Sequence, residues 1–328
     1  MPSPSGYVPF TKFSNYSNAE IAKIVSNHLR GRNTLVYAYD GTRRSYLMEK
    51  VGGDSVSSGN DCQIINYNEY SKTAIHNFLY QLVMMFDHGI DTIVYPMWFC
   101  TLEDRGPEYL PKFIQYLWGL SALLENPELV QAYQALGIRV IFYGEYRELL
   151  RRGNDEKLLQ VFEDIMELTK NNTKKTVLLG TNIDEPSNTL INETIQFYKV
   201  HGHPPTKEDL IKQYYGKNVD DVSMYIGFYR FSTDGRPIII SDKGAEDLYW
   251  AIAPHSLMNV QSFRKVLHDN VYLRTTTNAK EYELKNEDIQ KMKNFYQNNM
   301  YTVMGCGDIQ SGANIWYPLG SQTLKNIK

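Results

Sequence analysis

Short apolar runs alternate with longer amphipathic stretches along most of this chain. Six runs are rich in β-branched and aromatic residues, which favour strands. They cover residues 34–39, 92–99, 137–144, 175–180, 222–229 and 247–253. Between them, apolar residues recur at helical spacing, and we expect helices at residues 18–29, 73–89, 107–125, 127–136, 155–169, 188–200, 204–215, 260–272 and 287–300.

Alternating strands and helices are typical of an α/β fold with a mostly parallel sheet. We therefore expect a central sheet of about six strands with helices on both faces. The chain shows no repeats and no linker, so we predict a single domain over residues 1–328. Residues 1–17 read as a polar lead-in and residues 305–328 as an irregular tail. In such sheets, ligands bind beyond the carboxyl ends of the strands.

Composition and charge argue against some classes of protein, such as nucleic-acid-binding and disulfide-rich proteins. The 328 residues are 42% hydrophobic and 22% charged, with a net charge of -3 that gives no sign of nucleic-acid binding. Cys62, Cys100 and Cys306 lie far apart, and their spacing indicates neither a disulfide framework nor a metal site. The first residues lack the features of a signal peptide, and no apolar run is long enough to span a bilayer. We expect a cytoplasmic protein.

The strand at residues 34–39 ends in Asp40-Gly41-Thr42-Arg43-Arg44. A buried strand followed by a carboxylate, a glycine turn and two guanidinium groups at a helix start favours an anionic, diphosphate-like ligand. A carboxylate in this place can hold Mg²⁺, which bridges it to phosphate oxygens. The alternative interpretation is an ordinary Asp-Gly turn followed by a solvated helix start.

This motif resembles the Asp-Gly-Asn-x-Arg signature of the cis-prenyltransferase superfamily, and its spelling is closest to the tuberculosinol synthase branch. Other blocks resemble the family in the same order. Phe99, Thr101 and Glu103 take matching places after the second strand, and Arg264 and Leu267 take them in a late helix. The resemblance spans most of residues 30–275. It implies the cis-prenyltransferase fold and a prenyl diphosphate substrate.

One departure from the family bears on the reaction. Chain-extending members carry Arg-x-x-Gly-Glu-x-Arg-x-Ser for the isopentenyl diphosphate site. Here Gly227, Arg230 and Ser232 are kept, but Met224 replaces the first Arg and Phe228 the Glu. Losing a phosphate-binding fork weakens a second diphosphate site, so ionisation of one allylic diphosphate is favoured over elongation. A different alignment using Arg236 stays open.

The resemblance and the strand ends together give a set of candidate site residues. Asp40 is the expected Mg²⁺ ligand and a catalytic residue, with Tyr95 and Glu145 as further catalytic candidates; Glu145 would act as a base. The diphosphate is assigned to Gly41, Thr42, Arg43, Arg44 and Arg230. The prenyl pocket, whose negative ring faces would stabilise a carbocation, is assigned to Tyr39, Trp98, Phe99, Tyr143 and Tyr146. Ordinary core packing is the alternative role of each aromatic.

The expected activity is that of a terpene synthase-like enzyme. Mg²⁺-assisted loss of diphosphate would leave a cation that is quenched by water, by proton loss or by an acceptor. A chain-condensing prenyltransferase with an altered isopentenyl diphosphate site is the first alternative, and a non-catalytic partner subunit is the second. The family implies a homodimer, and a lipophilic product would favour peripheral association with membranes.

Overall fold

The computed structural model describes residues 7–29, 33–39, 42–50, 66–274, 285–310 and 315–318. Its strands are β1 Thr34–Tyr37, β2 Thr92–Trp98, β3 Ile138–Gly144, β4 Lys175–Thr181, β5 Val222–Phe228, β6 Asp247–Ala251, β7 Gly307–Gln310 and β8 Ile315–Pro318. Its α-helices are α1 Phe10–Phe13, α2 Asn18–Leu29, α3 Thr42–Lys50, α4 Tyr67–Asp87, α5 Tyr109–Leu117, α6 Ala122–Glu125, α7 Pro127–Leu136, α8 Tyr146–Arg152, α9 Glu156–Thr169, α10 Pro186–His201, α11 Lys207–Tyr215, α12 Val260–Tyr272 and α13 Asn286–Asn298.

Six strands form one sheet in the order β3-β4-β2-β1-β5-β6, and every neighbouring pair is parallel. β1 lies in the interior of the sheet, between β2 and β5. Because all the strands run the same way, their carboxyl ends meet at one edge. The expected α/β fold with a six-stranded parallel sheet is confirmed.

Alternate residues of each strand face two different helix layers. On one face, Leu35, Ile93 and Val177 join a large core with α2, α4, α7, α9 and α12. On the other face, Val36 and Val94 pack with the side chains of α11. Side chains alternate because the strand repeat is two residues, so a one-residue difference decides which layer a strand-end side chain enters.

Some local expectations need correction. The expected helix at residues 107–125 is broken into α5, a 3₁₀ helix at Trp118–Ser121 and α6, preceded by another 3₁₀ helix at Cys100–Arg105. α8 was not expected at all. The helix expected to begin at residue 73 begins at Tyr67, where the Asn66 side chain accepts a hydrogen bond from the Glu69 amide at 3.0 Å.

The two ends of the chain also hold more structure than expected. Within the supposed lead-in, Phe10–Phe13 is a helical turn whose Phe13 is fully buried. Within the supposed irregular tail, β7 and β8 form an antiparallel hairpin with Asp308 opposite Tyr317. Among the described helices, none combines the length and apolar character needed to cross a membrane.

Candidate active site

The carboxyl end of β1 leads directly to the start of α3. Asp40 and Gly41 lie outside the described residues, so their assigned roles in holding metal and diphosphate stay predictions. Their described neighbours are Tyr39, which is buried, and Thr42, which is the first residue of α3. A helix N-terminus carries partial positive charge and favours anions.

A largely apolar cavity opens beside the ends of β1 and β2. It contains about 420 Å³ of space between atoms, part of which is open to solvent. Its walls come from the segment after β1, from β2, β4, α4 and α5, and from the 3₁₀ helix at Trp118–Ser121. They are Tyr39, Ser71, Ala74, Ile75, Phe78, Tyr95, Met97, Phe113, Tyr116, Leu117, Gly119, Leu120 and Leu179. These lining residues include no carboxylate, so the cavity offers ring faces and hydroxyls rather than negative charge.

Three of the lining rings contact one another. Tyr39 and Phe78 each have their ring centroid 5.0 Å from that of Tyr95, and those of Tyr39 and Phe78 are 5.8 Å apart. The Tyr39 hydroxyl donates to the Ala74 carbonyl at 2.8 Å. Burial raises the pKa of Tyr39 and of Tyr95 well above the usual phenol value. Both therefore stay neutral phenols at physiological pH.

A smaller polar pocket adjoins the cavity at the start of α3. It is lined by Thr42, Ser45, Tyr46, Tyr70, Thr73, Ala74, Asn77 and His255. Ala74 lines both spaces, and the Tyr39 ring lies 3.5 Å from the buried His255 ring, centroid to centroid. An apolar space and a polar space thus share one wall at the end of β1.

Hydroxyl groups converge on Thr42 in the polar pocket. Thr42 Oγ1 and the Tyr70 hydroxyl are 2.6 Å apart. Burial raises the pKa of Tyr70 to about 12, although the hydrogen bond with Thr42 and the charge of Arg43 oppose that rise. Ser45 and Ser256 also share a hydrogen bond. The pocket therefore presents neutral donors to a ligand.

The two arginines that follow Thr42 differ in their surroundings. Arg43 is exposed, whereas Arg44 is half-buried with its guanidinium carbon 3.7 Å from the centroid of the Tyr229 ring. Among the described residues, neither arginine is in an ion pair. Arg230 is largely exposed and lies 3.6 Å from Asp234. Arg43 and Arg44 are therefore positive charges without a protein counter-ion in the described chain.

Arg236, the basis of the different alignment, has a local structural role. Its Nε donates to Glu246 at 2.6 Å, and its Nη2 donates to the Ser241 carbonyl at 2.6 Å.

Met224 and Phe228 are buried in the core, 0% and 3% exposed, and the Phe228 ring meets the Tyr37 ring edge-on at 5.1 Å. The two positions that depart from the chain-extending motif are thus apolar core positions.

Several predicted pocket aromatics lie away from the cavity. Trp98 and Phe99 pack in a separate cluster with Leu102, Leu149 and Ile183. Tyr143 lies on the opposite face of the sheet, against Tyr214 and Tyr215. Tyr146 is the first residue of α8, and its hydroxyl donates a hydrogen bond of 3.0 Å to Glu163 Oε1. Of the predicted prenyl-pocket residues, only Tyr39 lines the cavity; Tyr95, predicted as catalytic, lines it too.

Glu145 is also not brought to the cavity. Its carboxylate accepts from the Ile183 amide at 3.0 Å and from Thr189 Oγ1 at 3.1 Å. Burial raises its pKa, and these hydrogen bonds oppose the rise. The physical reason for its position is strand order, because β4 and β2 separate β3 from β1. β1 and β2 are neighbours in the sheet, whereas β3 is next to neither of them.

Sequence reasoning missed Tyr70, Tyr116 and His255. Tyr70, Ala74 and Phe78 are spaced four residues apart, which places them on one face of α4, and this spacing was a usable signal. His255 follows β6 and meets Tyr39 only through the three-dimensional fold, so no local pattern indicates it. In the part of the chain that is described, no group of three His, Cys, Asp or Glu side chains is placed to hold a metal ion.

Comparisons with known proteins bear on this site. No protein-family model matches the chain. Tuberculosinyl adenosine transferase of Mycobacterium tuberculosis (strain CDC 1551 / Oshkosh) is 30% identical over 311 residues, covering 94% of this chain and 98% of that protein.

Two solved structures share the fold, each with a TM-score of 0.52. One is a probable undecaprenyl diphosphate synthase from Campylobacter jejuni, 12% identical over 75% of this chain and 98% of that chain. The other is lavandulyl diphosphate synthase from Lavandula x intermedia in complex with dimethylallyl diphosphate, 10% identical over 73% of this chain and 94% of that chain. The chain therefore belongs to the cis-prenyltransferase-like superfamily and is a prenyltransferase-like enzyme.

Proposed function

We propose that this enzyme ionises an allylic prenyl diphosphate, with the prenyl chain in the cavity and the diphosphate at the start of α3. One observation carries the proposal: the aromatic, carboxylate-free cavity shares a wall with a hydroxyl-lined pocket that includes Thr42, the residue directly before Arg43 and Arg44. An amphiphile with an apolar tail and an anionic head matches this pair of spaces. The names of the relative and of the structural neighbours support a prenyl substrate.

Departure of the diphosphate needs positive charge and hydrogen-bond donors that are already in place. In this proposal, Arg43, Arg44 and the amide end of α3 supply them, with Thr42 and Tyr70 as neutral donors and Arg230 as a further cation. Mg²⁺, proposed to bind Asp40, would neutralise the leaving group. Magnesium on a diphosphate needs only one or two protein carboxylates, so a three-ligand cluster is not required.

The cation that remains needs a dry space and negative ring faces. Tyr39, Phe78 and Tyr95 surround the same part of the cavity and meet this need through cation–π attraction. As neutral phenols, Tyr39 and Tyr95 can orient a nucleophile but cannot act as ionised bases. Glu145 lies away from the cavity and is therefore not proposed as the base.

The quench is proposed to be transfer to an acceptor, with water and proton loss as the other routes. The relative of 30% identity is named as an adenosine transferase, so a nucleoside is the acceptor to test first. Elongation is disfavoured because Met224 and Phe228 are buried core residues.

As family members are generally dimeric, we also propose a homodimer, which a sedimentation measurement would test. We further propose that the product-bearing enzyme associates peripherally with membranes.

A mass-spectrometric screen tests the proposal. Purified enzyme with Mg²⁺ is given geranyl, farnesyl or geranylgeranyl diphosphate, each with and without adenosine and with and without isopentenyl diphosphate. We expect diphosphate release without isopentenyl diphosphate, loss of release after chelation of metal, and no release by Asp40→Asn. Lengthened products that require isopentenyl diphosphate would establish the chain-condensing alternative. Release from no donor at all would favour the non-catalytic partner.

A further inference from the structure

Three side chains from distant parts of the chain contact one another in a row that begins in α3. Arg44 comes from α3, Tyr229 follows β5, and Trp316 lies in β8. The guanidinium carbon of Arg44 is 3.7 Å from the Tyr229 ring centroid. The Trp316 ring meets the Tyr229 ring edge-on, at 5.4 Å and 86°. We call these three residues the bracket.

The backbone at the middle of the bracket is unusual. Tyr229 has a φ of 68°, in the left-handed region where a bulky residue is an outlier. Its amide donates to the Ala251 carbonyl at 2.8 Å, so β5–β6 pairing fixes the residue in place. Phe228, immediately before it, is buried in the core. Outliers of this kind persist where surrounding contacts hold them and are concentrated at functional sites.

A second contact docks the C-terminal hairpin onto the same segment. A Cβ atom built on Gly305, just before β7, would lie 3.5 Å from the Phe231 ring. Phe231 in turn stacks on Trp250 of β6, with ring centroids 4.9 Å apart at 27°. The hairpin therefore contacts the segment after β5 at Tyr229, and the backbone at Gly305 lies beside Phe231.

We propose that Tyr229 is a positioning residue that orients Arg44 toward the diphosphate, and that Trp316 of the C-terminal hairpin holds Tyr229 in place. This inference rests on the proposed function for the identity of the anion. A planar guanidinium lying on a ring keeps its edge donors free, and those donors match phosphate oxygens. A cation held in its binding orientation before the ligand arrives loses less entropy on binding.

Binding of inorganic pyrophosphate with Mg²⁺, followed by calorimetry, tests the bracket without needing turnover. We expect Tyr229→Ala to weaken binding about tenfold, in line with a partly desolvated cation–π contact. Tyr229→Phe keeps the ring and should stay within about twofold of wild type. Trp316→Ala should weaken binding by a smaller factor. Tyr301→Ala, an aromatic 89% exposed, is the control and should change nothing.

A double-mutant comparison separates positioning from general loss of structure. In the Arg44→Lys background, which keeps the charge but loses the flat contact, Tyr229→Ala should have almost no further effect. An equal loss in both backgrounds, or no loss with wild-type Arg44, would overturn the inference. If Tyr229→Ala does not fold, Trp316→Ala is judged by the same criteria.

The outcomes also separate this inference from the proposed function. Wild-type enzyme that binds pyrophosphate through a coupled Arg44 and Tyr229 but consumes no prenyl diphosphate would keep the bracket and refute the reaction. Turnover that is insensitive to every bracket variant would keep the reaction and refute the bracket. Wild-type enzyme that binds no pyrophosphate would overturn both.

Discussion

Tyr39 and Tyr95 combine two properties that decide what they can do in the site. Their rings face the cavity, and burial raises the pKa of both phenols. A phenol that stays protonated contributes its ring face and a weak hydrogen bond, not a phenolate. Stabilisation of the proposed cation by Tyr39 and Tyr95 would therefore come from their rings.

Substitution of Tyr95 distinguishes ring from hydroxyl. Tyr95→Phe should keep kcat within about threefold of wild type, whereas Tyr95→Leu should lower it about tenfold or more, since a ring face over a cation contributes about 1–2 kcal/mol when desolvated. Single-turnover rates with the preferred donor measure the effect. A collapse of kcat in Tyr95→Phe would instead assign the chemistry to the hydroxyl.

The structure gives Glu145 a supporting role. Its carboxylate, at the end of β3, accepts hydrogen bonds from two residues near the start of α10. Ile183 precedes that helix, and Thr189 lies in its first turn. We expect Glu145→Gln to lower the free energy of unfolding by about 1 kcal/mol and to leave kcat within about threefold of wild type. Urea unfolding and steady-state kinetics on one preparation check both. Abolished turnover with unchanged stability would return Glu145 to the mechanism.

The local sequence predicted where the site begins, but it did not predict which residues surround it. The run ending in Asp40-Gly41-Thr42 indicated a ligand at the end of β1, because strand and turn signals are local. Tyr143 was assigned to the pocket and lies on the opposite face, since pattern alone does not say which set of alternate residues faces the site. His255 reaches Tyr39 through long-range packing that no short pattern encodes.

Among the elements, α4 and the short helix at Trp118–Ser121 approach each other closely and form one cavity wall. Gly119 permits this approach, because a Cβ atom there would lie 2.8 Å from Ser71 Cβ and 2.9 Å from the Ser71 carbonyl oxygen. The distance between these two elements therefore sets part of the width of the cavity.

Gly119→Ala should push the two elements apart. We expect a loss of about 1–3 kcal/mol in the free energy of unfolding, typical of overpacking, together with an altered preference among prenyl donors of different length. Ser121→Ala on the same short helix is the matched control. Thermal unfolding and kcat/KM ratios across donors measure the two effects. Unchanged stability and selectivity in Gly119→Ala would contradict this prediction, because the two elements would then accommodate the methyl group without loss of free energy.

Element boundaries were predictable where capping is local. α2 and α7 begin and end where expected, and α7 has Asn126 accepting from the Glu128 and Leu129 amides, with Gly137 in the left-handed region after it. The β7–β8 hairpin was missed because its two strands are only four residues each. Short strands give almost no periodic signal, and their pairing is decided by packing.

Across the whole molecule, buried tyrosines should make the folded protein less stable as the pH becomes alkaline. Burial raises the pKa of Tyr37, Tyr39, Tyr95, Tyr214 and Tyr215 well above 10.0. In the unfolded chain these phenols ionise near their ordinary value, whereas in the folded protein they stay protonated. The unfolded state then binds fewer protons, so stability falls as pH rises above that value.

Urea unfolding across alkaline pH tests this linkage. We expect the free energy of unfolding to be level below pH 10 and then to fall by about 1.4 kcal/mol per pH unit for each phenol that ionises only on unfolding. Phenolate absorbance should appear together with unfolding rather than before it. Phenolates that form while the protein is still folded would show that the rings are reached by hydroxide in the native state.

The order of the sheet has a consequence for how the enzyme is made. β1, the strand that leads into the site, pairs with β5, and Ser223 Oγ donates to the Thr34 carbonyl across 189 residues of sequence. During synthesis, the first-made strand must wait for that partner to leave the ribosome, with one edge of its backbone unsatisfied. Nascent chains shorter than this span should depend on chaperones and be devoid of ligand affinity, and competence should arise abruptly once the late strand emerges.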